Sequence, residues 1–297
     1  MLFRSRQAAH RQGPIADVLA QMAPEGYWVK PGPGYTKKYL STVWAIILLA
    51  QMGADINEDE RIHTACQYLL DHALIPSGQF TSNGTPSGGV DCLQGNLCRS
   101  LLDLGCRDER LSKAFEWMAR GQTGEGMGTS GEMRYFAYKS GPNFECGCNG
   151  KKPCAWGAVK VLMAFAKLTP DQRTPLIEDA IQRGVDFMFS IEPRTARWVT
   201  RSETPPNRAW WKFGFPVFYI SDLLQVAEAL SELGYGQDTR LAQVIELVRE
   251  KQDAQARWAL EYDYAGKTWI DVGEKNQPNK WVTLRALRLL KNCGQSV

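Results

Sequence analysis

The sequence predicts an all-α fold in which about five pairs of helices form a closed double ring. Strongly apolar helical segments alternate along the chain with amphipathic ones, as expected for an inner and an outer layer. No segment alternates polar and apolar residues convincingly over the length of a strand. With 297 residues, 44% of them hydrophobic, the chain can bury a large core. We therefore predict a single domain over residues 1–297, with residues 1–12 as a flexible tail.

Two repeated patterns mark the ends of the helices. Three helical segments end at a glycine, which favours the left-handed C-cap conformation: Gly53, Gly105 and Gly234. Each glycine is followed by an aspartate suited to cap the next helix, close before an arginine: Asp59, Asp108 and Asp238. The second pattern is a glutamine, a short spacer and a terminal tryptophan, in QMAPEGYW and KQDAQARW. Degenerate copies of it follow the other amphipathic segments.

These patterns delimit ten helices. The predicted inner helices are apolar and follow long loops rich in Gly, Pro and Ser: 37–52, 91–104, 154–168, 216–233 and 280–290. The predicted outer helices are more amphipathic: 15–22, 59–72, 108–120, 175–189 and 238–252. In a closed double ring all inner helices run in the same direction. Their N-terminal loops are therefore expected to meet at one mouth of a central cavity.

Composition and charge exclude several classes of function. The net charge of +3 comes without any Lys/Arg block, so nucleic acid is not expected as a partner. The basic N-terminus lacks the apolar run of a signal peptide. The longest apolar stretch, 43–50, is too short to span a bilayer. We predict a cytoplasmic protein whose eight cysteines stay reduced.

Cysteines gather at the starts of two consecutive inner helices. Cys146, Cys148 and Cys154 lie in the loop ECGCNGKKPC, and Cys92 follows Asp91 at the preceding inner-helix start. Three close thiols in a reduced compartment favour a metal site, which we predict to hold zinc. Four thiolates would form a closed structural site, whereas three thiolates with Asp91 or water could activate a thiol or water. The alternative is buried reduced cysteines with a disulfide in the loop.

Aromatic and basic residues also cluster at the inner-helix starts. The aromatic rings could line a cavity for a cationic or apolar ligand, or simply fill the core of a small ring. Lysines there would add to the positive ends of the helix dipoles and form an anion site suited to a diphosphate. The predicted ligand-binding residues, chosen as nearest the mouth, are Trp156, Trp211, Lys212, Tyr219, Lys280 and Trp281.

Asp222 is an acidic residue within an apolar inner segment. It is the candidate catalytic residue, because burial would raise its pKa and suit it to act as a general acid. The alternative is a buried hydrogen bond to a neighbouring helix end. None of the three histidines fits a catalytic dyad.

The Gln-to-Trp punctuation and the paired helices resemble the terpenoid cyclase and protein prenyltransferase (squalene cyclase-like) superfamily of α/α toroids, in a small, degenerate, bacterial-type form. The Asp-x-Asp-Asp motif that protonates the substrate of squalene-type cyclases is absent. The resemblance also implies a zinc site, since the prenyltransferase β subunit uses Asp-x-Cys at one inner-helix start and His at the next. Here Asp91-Cys92 and Cys154 take those places, with altered ligands.

Three functions remain open from the sequence. The first is an enzyme, or a carrier, that holds an isoprenoid or another apolar or diphosphate-bearing ligand in an aromatic-lined central cavity, with zinc at its mouth. The second is a non-catalytic toroid, stapled by zinc, that binds a ligand or a protein. The third is zinc-assisted thiol chemistry, which the lack of a Cys-His pair weakens. Oligomeric state, substrate and product are not predicted.

Overall fold

The computed structural model describes residues 2–128, 135–136, 139–202 and 205–295. Those residues contain eleven α-helices: α1 Leu2–Arg11, α2 Pro14–Leu19, α3 Thr42–Gln51, α4 Glu60–Ala73, α5 Asp91–Asp103, α6 Arg110–Thr123, α7 Ala155–Phe165, α8 Pro175–Met188, α9 Leu223–Leu230, α10 Ala242–Glu250 and α11 Lys280–Asn292. The ten helices expected from the sequence are confirmed as α2 to α11. None of the described helices is long and apolar enough to cross a bilayer.

Within the described ranges, five short strands accompany the helices and were not predicted. They are β1 Met127–Gly128, β2 Tyr135–Phe136, β3 Ser140–Gly141, β4 Glu145–Cys146 and β5 Lys152–Pro153. β1 pairs with β2, while β3, β4 and β5 form an antiparallel sheet in that order. Strands of two residues are too short to show an alternating pattern, which is why the sequence did not reveal them.

The apolar helices pack against one another in chain order. α3 contacts α5, α5 contacts α7, α7 contacts α9, and α9 contacts α11. The amphipathic helices lie against them, as in the pairs α3–α4, α5–α6, α7–α8 and α9–α10. The α5–α7 contact depends on Gly95, since a Cβ there would lie 2.4 Å from the backbone of Lys160. A larger residue at position 95 would force the two helices apart.

The repeated patterns act as the sequence suggested. Gly53, Gly105 and Gly234 all have positive φ angles, of 80°, 90° and 97°. The aspartates after them accept the backbone N–H of the arginine two residues on and bind its guanidinium: Asp59–Arg61, Asp108–Arg110 and Asp238–Arg240. Each helix-to-helix junction is thus fixed by a cap and an ion pair.

The tryptophans of the second pattern anchor the outer helices. The indole N–H of each donates to a backbone carbonyl ten residues earlier: Trp28 to Val18 at 2.8 Å, Trp198 to Met188 at 3.3 Å and Trp258 to Val248 at 2.6 Å. In the two remaining units a buried glutamine binds the backbone. Gln94 accepts from the N–H of Phe80, and Gln122 from that of Phe144.

The segment 213–222 differs most from the prediction. A helix was expected from residue 216, but α9 begins only at Leu223. The preceding residues are buried and non-helical, and they run between the inner helices. Gln51 of α3 both donates to and accepts from the backbone of Val217, each at 2.8 Å, and Asn96 of α5 donates to Phe218. These side chains bind backbone groups that a buried irregular segment could not otherwise satisfy.

The flexibility expected for residues 1–12 stays a prediction. Leu2–Arg11 forms α1. His10 is buried, and its Nε2 accepts a hydrogen bond from the backbone N–H of Asp55 at 3.0 Å. This contact ties the segment to the loop after α3.

Candidate functional site

The first turns of α5 and α7 bring the predicted cysteines into one cluster. Cys146 lies on β4, Cys148 follows in the turn to β5, and Cys154 immediately precedes α7. A Cβ placed on Gly157 would lie 3.2 Å from the Cβ of Asp91 and 3.9 Å from that of Cys154, so the two helix starts are in contact. Cys92 is close enough to interact electrostatically with Cys146 and Cys148. We call Asp91, Cys92, Cys146, Cys148 and Cys154 the cysteine cluster.

Asp91 is the buried acid of this cluster. Its side chain is 4% exposed, and neither carboxylate oxygen has a well-formed hydrogen bond to any residue that the structure describes. The pKa of Asp91 is raised to about 7, chiefly by burial and also by the negative charge of Cys146. Ser140 and Gln122, which lie beside it, oppose this shift only in part. A buried carboxylate that has only weak contacts with uncharged side chains would be stabilised by a bound cation.

The thiols of the cluster are not equivalent. The pKa of Cys146 is lowered to about 6, chiefly because the thiol of Cys154 donates a hydrogen bond to it. The pKa of Cys154 is correspondingly raised, and burial raises that of Cys92 to about 12. Cys146 therefore carries the thiolate at neutral pH.

Sulfur and carboxylate oxygen are both ligands that zinc accepts, so the donor types fit. Within the described ranges, however, no three His, Cys, Asp or Glu side chains are already grouped as a metal site. The thiol of Cys146 interacts with those of Cys148 and Cys154. Zinc binding stays a prediction.

Aromatic and basic side chains flank the cluster. Tyr35 lies beside Cys92 and Cys148, and its pKa is raised to about 12, mainly by burial. Burial and the charge of Cys146 raise the pKa of Cys148, and the nearby Lys139 and Lys38 oppose this rise only in part. Lys38 also sits 4.8 Å from the ring centre of Tyr219. Positive charge and aromatic surface are thus available next to the thiols.

A cavity of about 310 Å³ adjoins Cys154 and is lined mainly by apolar side chains. We call it the tryptophan pocket, because Trp156, Trp198 and Trp210 form its walls. The ring centres of Trp198 and Trp210 lie 4.9 Å apart, and those of Trp156 and Trp210 lie 6.2 Å apart. The indole N–H of Trp156 is buried without a partner among the described residues. The pocket could hold an apolar ligand with one polar group.

A second cavity, of about 410 Å³, is lined by residues from α3, α5, α7, α9 and α11. The aromatic lining predicted for a central cavity is not found here, since Phe215 and Trp281 are the only aromatic residues among those that line it. Most of its wall comes from the C-terminal halves of the apolar helices, and seven of its lining residues are charged. The sequence does show these charges, but at spacings that are usual on a solvent-facing helix. We call it the charged cavity.

The six predicted ligand-binding residues do not share one pocket. Trp156 lines the tryptophan pocket and Trp281 the charged cavity. The indole N–H of Trp211 donates to Arg194, Tyr219 accepts from Tyr39, and Lys280 lies over the ring of Trp281. Lys212 lines a separate space of about 10 Å³. Trp198 was not predicted as a pocket residue, because its Gln-to-Trp pattern was interpreted only as the mark of a helix end.

Asp222, the candidate acid, is held by several contacts. It accepts from the backbone N–H of Gln225 at 2.7 Å and binds both terminal nitrogens of Arg285 at 2.9 and 3.0 Å. It is 4% exposed. These contacts match the alternative of a buried hydrogen bond to a helix end. A catalytic role for Asp222 stays a prediction.

Comparison with known proteins gives matches among solved structures. The type II terpene cyclase MstE from Scytonema, without ligand, is 15% identical to this chain and has a TM-score of 0.52. The match covers 97% of this chain and 72% of the MstE chain. A variant of MstE in complex with geranylgeranyl dihydroxybenzoate is 14% identical to this chain and has a TM-score of 0.50. That match covers 98% of this chain and 74% of the MstE chain. No protein-family model and no curated protein matches. At this identity the similarity establishes a terpenoid cyclase-like fold.

Proposed function

We propose that this chain is an enzyme of the terpenoid cyclase and prenyltransferase type that binds Zn²⁺ through the cysteine cluster and holds a prenyl-like ligand in the tryptophan pocket. The observation that carries the proposal is the carboxylate of Asp91, which is buried beside the thiols and has only weak contacts with the uncharged side chains of Ser140 and Gln122. Such a group is costly in the fold unless a cation binds it.

Different residues around the cluster would bind the apolar chain and the negatively charged group of the ligand. The three tryptophans exclude water and contact the apolar chain of the ligand, next to Cys154. Lys38 and Lys139 offset the negative charge of a diphosphate or similar group near Cys148. When bound, zinc supplies Lewis acidity, which lowers the pKa of a thiol or water that it coordinates.

The proposal includes closure of the helix pairs into an α/α toroid of five pairs. Its support is the charged cavity, to which all five inner helices contribute residues. Contacts between successive inner helices and the similarity in fold to MstE agree with a ring.

Metal content tests the cluster. We expect about one zinc per chain in protein purified without chelator, measured by inductively coupled plasma mass spectrometry. Asp91→Ala and Cys154→Ser should lose most of the metal, because each removes a ligand. Cys98→Ser is the matched control, since Cys98 is a buried thiol of α5 that lies outside the cluster. Zinc-free wild-type protein, or full zinc in Asp91→Ala, would contradict the proposal.

Ligand binding tests the pocket. Native mass spectrometry with geranylgeranyl diphosphate should show a 1:1 complex with the wild type. Trp210→Ala should weaken it at least tenfold, because Trp210 contacts both other tryptophans of the pocket. Trp281→Ala, which alters only the charged cavity, should bind normally. The reverse pattern would move the prenyl site to the other cavity and refute this assignment.

A second function, a non-catalytic module stapled by zinc, is favoured by the number of thiols. If Cys92, Cys146, Cys148 and Cys154 all coordinate, no position remains for a substrate. X-ray absorption at the zinc edge separates the two. Four sulfur ligands support the structural module, whereas three sulfurs and one oxygen support the enzyme.

A further inference from the structure

Two buried thiols lie against each other outside the cysteine cluster. Cys66 is on α4, and Cys106 follows Gly105 in the loop between α5 and α6. The thiol of Cys66 donates a hydrogen bond to the sulfur of Cys106. Cys66 is fully buried, Cys106 is 2% exposed, and both are free thiols in this structure. We call Cys66 and Cys106 the junction pair.

Polar contacts hold α4 and this loop side by side. Gln67, one residue after Cys66, donates to Asp108 at 3.4 Å and accepts from Arg110 at 2.7 Å. Arg110 also binds Asp71 of α4 at 2.6 Å. These contacts keep the two thiols together, and thiols that are already in contact need only small side-chain rotations to form a disulfide.

Packing alone does not require sulfur at either position. Cys66 lies seven residues after the capping aspartate of its unit, where two other units have Phe115 and Ile245. Cys106 follows the glycine that ends its helix, where the chain has Ala54 after α3. These three equivalents are buried as well. A free cysteine packs like a small apolar residue, so its reactivity is what distinguishes the junction pair from the other units.

The two thiols of the pair differ in reactivity. The pKa of Cys106 is lowered to about 7, chiefly by the hydrogen bond from Cys66 and also by one from the backbone N–H of Asp108, while burial opposes the shift. The pKa of Cys66 is raised by the same thiol contact and by burial. Cys106 is therefore the better nucleophile of the two, and Cys66 is placed to attack its oxidised form.

Cys106 lies just below the surface of the molecule. Arg107, the next residue, is exposed, and Gly105 on its other side is half-buried. A local opening of this loop is therefore enough for a molecule as small as hydrogen peroxide to reach the sulfur of Cys106.

We propose that the junction pair is a site of reversible oxidation, at which a peroxide converts the two thiols into a disulfide between α4 and the loop before α6. The bond joins the helix pair α3–α4 covalently to the pair α5–α6 and stabilises their junction against unfolding. The site is independent of zinc and of the function proposed above.

The oxidation takes two steps. The thiolate of Cys106 attacks one oxygen of hydrogen peroxide, so that the S–O bond forms, the O–O bond breaks, and hydroxide leaves with the proton that Cys106 released. The thiol of Cys66 then attacks the sulfur of Cys106. The S–S bond forms, the S–O bond breaks, and the second hydroxide leaves as water with the proton of Cys66. The two thiols lose two electrons, which the peroxide accepts, and a reducing thiol reverses the reaction by exchange.

Peptide mapping tests the site. Native protein is treated with hydrogen peroxide, remaining thiols are blocked with iodoacetamide, and chymotryptic peptides are analysed by mass spectrometry. Cleavage after Tyr68 and Phe80 separates Cys66 from Cys92. We expect a peptide that links Cys66 to Cys106 and that dithiothreitol removes. The proposal is refuted if oxidised native protein lacks this peptide or if Cys66 is joined mainly to another cysteine.

Trapping with dimedone tests the order of the two steps. Cys66→Ala removes the thiol that displaces hydroxide, so the sulfenic acid of Cys106 should persist and its dimedone adduct should increase at least tenfold over the wild type. Equal labelling of Cys106 in both proteins would contradict the proposal. Cys98→Ala, which removes a buried thiol of α5 outside the pair, should form the linked peptide as the wild type does. Cys66→Ala should keep its zinc and Asp91→Ala should still form the disulfide, so this proposal and the zinc site fail separately.

Discussion

Asp91 shows at the residue scale how a functional group can work against stability. In the fold its pKa is about 7, whereas an exposed aspartate in the unfolded chain titrates near 3.9. Between these values the folded state holds a proton that the unfolded state has lost. The free energy of unfolding therefore falls as the pH rises from about 4 to about 7 and stays lowered above pH 7.

We accordingly expect Asp91→Asn to stabilise the metal-free protein at pH 8 while it weakens zinc binding. The gain should be on the order of 2 kcal/mol, because the amide needs no charge in the buried site. Urea unfolding after treatment with a chelator measures the first effect, and metal content the second. A loss of stability in the metal-free variant would show that Asp91 is held by contacts within the protein.

The effect of Lys160 on the free energy of unfolding depends on pH in the opposite direction. Its amine is 1% exposed, and burial lowers its pKa to about 7, with Arg285 and Arg99 lowering it and Asp222 and Cys92 raising it. The unfolded chain keeps its proton up to about pH 10.4, so the contribution of Lys160 to stability rises as the pH increases above 7.

Lys160→Met removes this titration. The free energy of unfolding of the wild type minus that of the variant should rise between pH 6 and pH 9.5, by at most about 1.4 kcal/mol per pH unit. Urea titrations of both proteins across this range supply the difference. The lost hydrogen bond to Gln225 shifts the whole curve without changing its slope. A flat difference would mean that Lys160 stays charged in the fold.

The sequence predicts only the part of the candidate site that lies in the loops before the apolar helices. Cys92 and Cys154 were expected to meet because both begin consecutive inner helices, and the contact between Asp91 and Gly157 bears out that proximity. The burial of Lys160 and Gln225 could not be predicted, because a polar residue on an apolar helix reads equally well as a solvent-facing position.

At the scale of elements, the tryptophan anchors give a direct comparison. The Trp258 indole binds the Val248 carbonyl at 2.6 Å, whereas the indole N–H of Trp117 has no partner among the described residues. Both side chains are fully buried. We expect Trp258→Phe to be more destabilising than Trp117→Phe by about 1–2 kcal/mol, because only the first leaves a carbonyl unpaired. Equal costs in urea unfolding would assign the anchor to packing alone.

The helices were predictable because three kinds of information agree along them. Apolar periodicity, glycine C-caps and aspartate N-caps all point to the same ends, as at Gly53 and Asp59. The start of α9 was missed because residues 216–222 are as apolar as a buried helix. Their non-helical course depends on Gln51 and Asn96, which are distant in sequence.

At the scale of the whole molecule, the 213–222 segment joins parts of the fold that are distant in sequence. Gln51→Ala would remove both hydrogen bonds to Val217, a residue that is 6% exposed. We expect a cost of about 2–4 kcal/mol, since two buried backbone groups lose their partners. Hydrogen exchange should increase across 213–222. Gln182→Ala, on the exposed surface of α8, is the control and should change neither quantity.

The ten-residue interval between each anchoring indole and its carbonyl limits how such a chain can change in length. One residue inserted between Val248 and Trp258 would shift the indole by up to about 3.3 Å, more than a hydrogen bond tolerates. The loops that precede the inner helices carry no such constraint. Insertions and deletions among homologous chains should therefore accumulate in the loops before the apolar helices and be absent from the three anchored intervals.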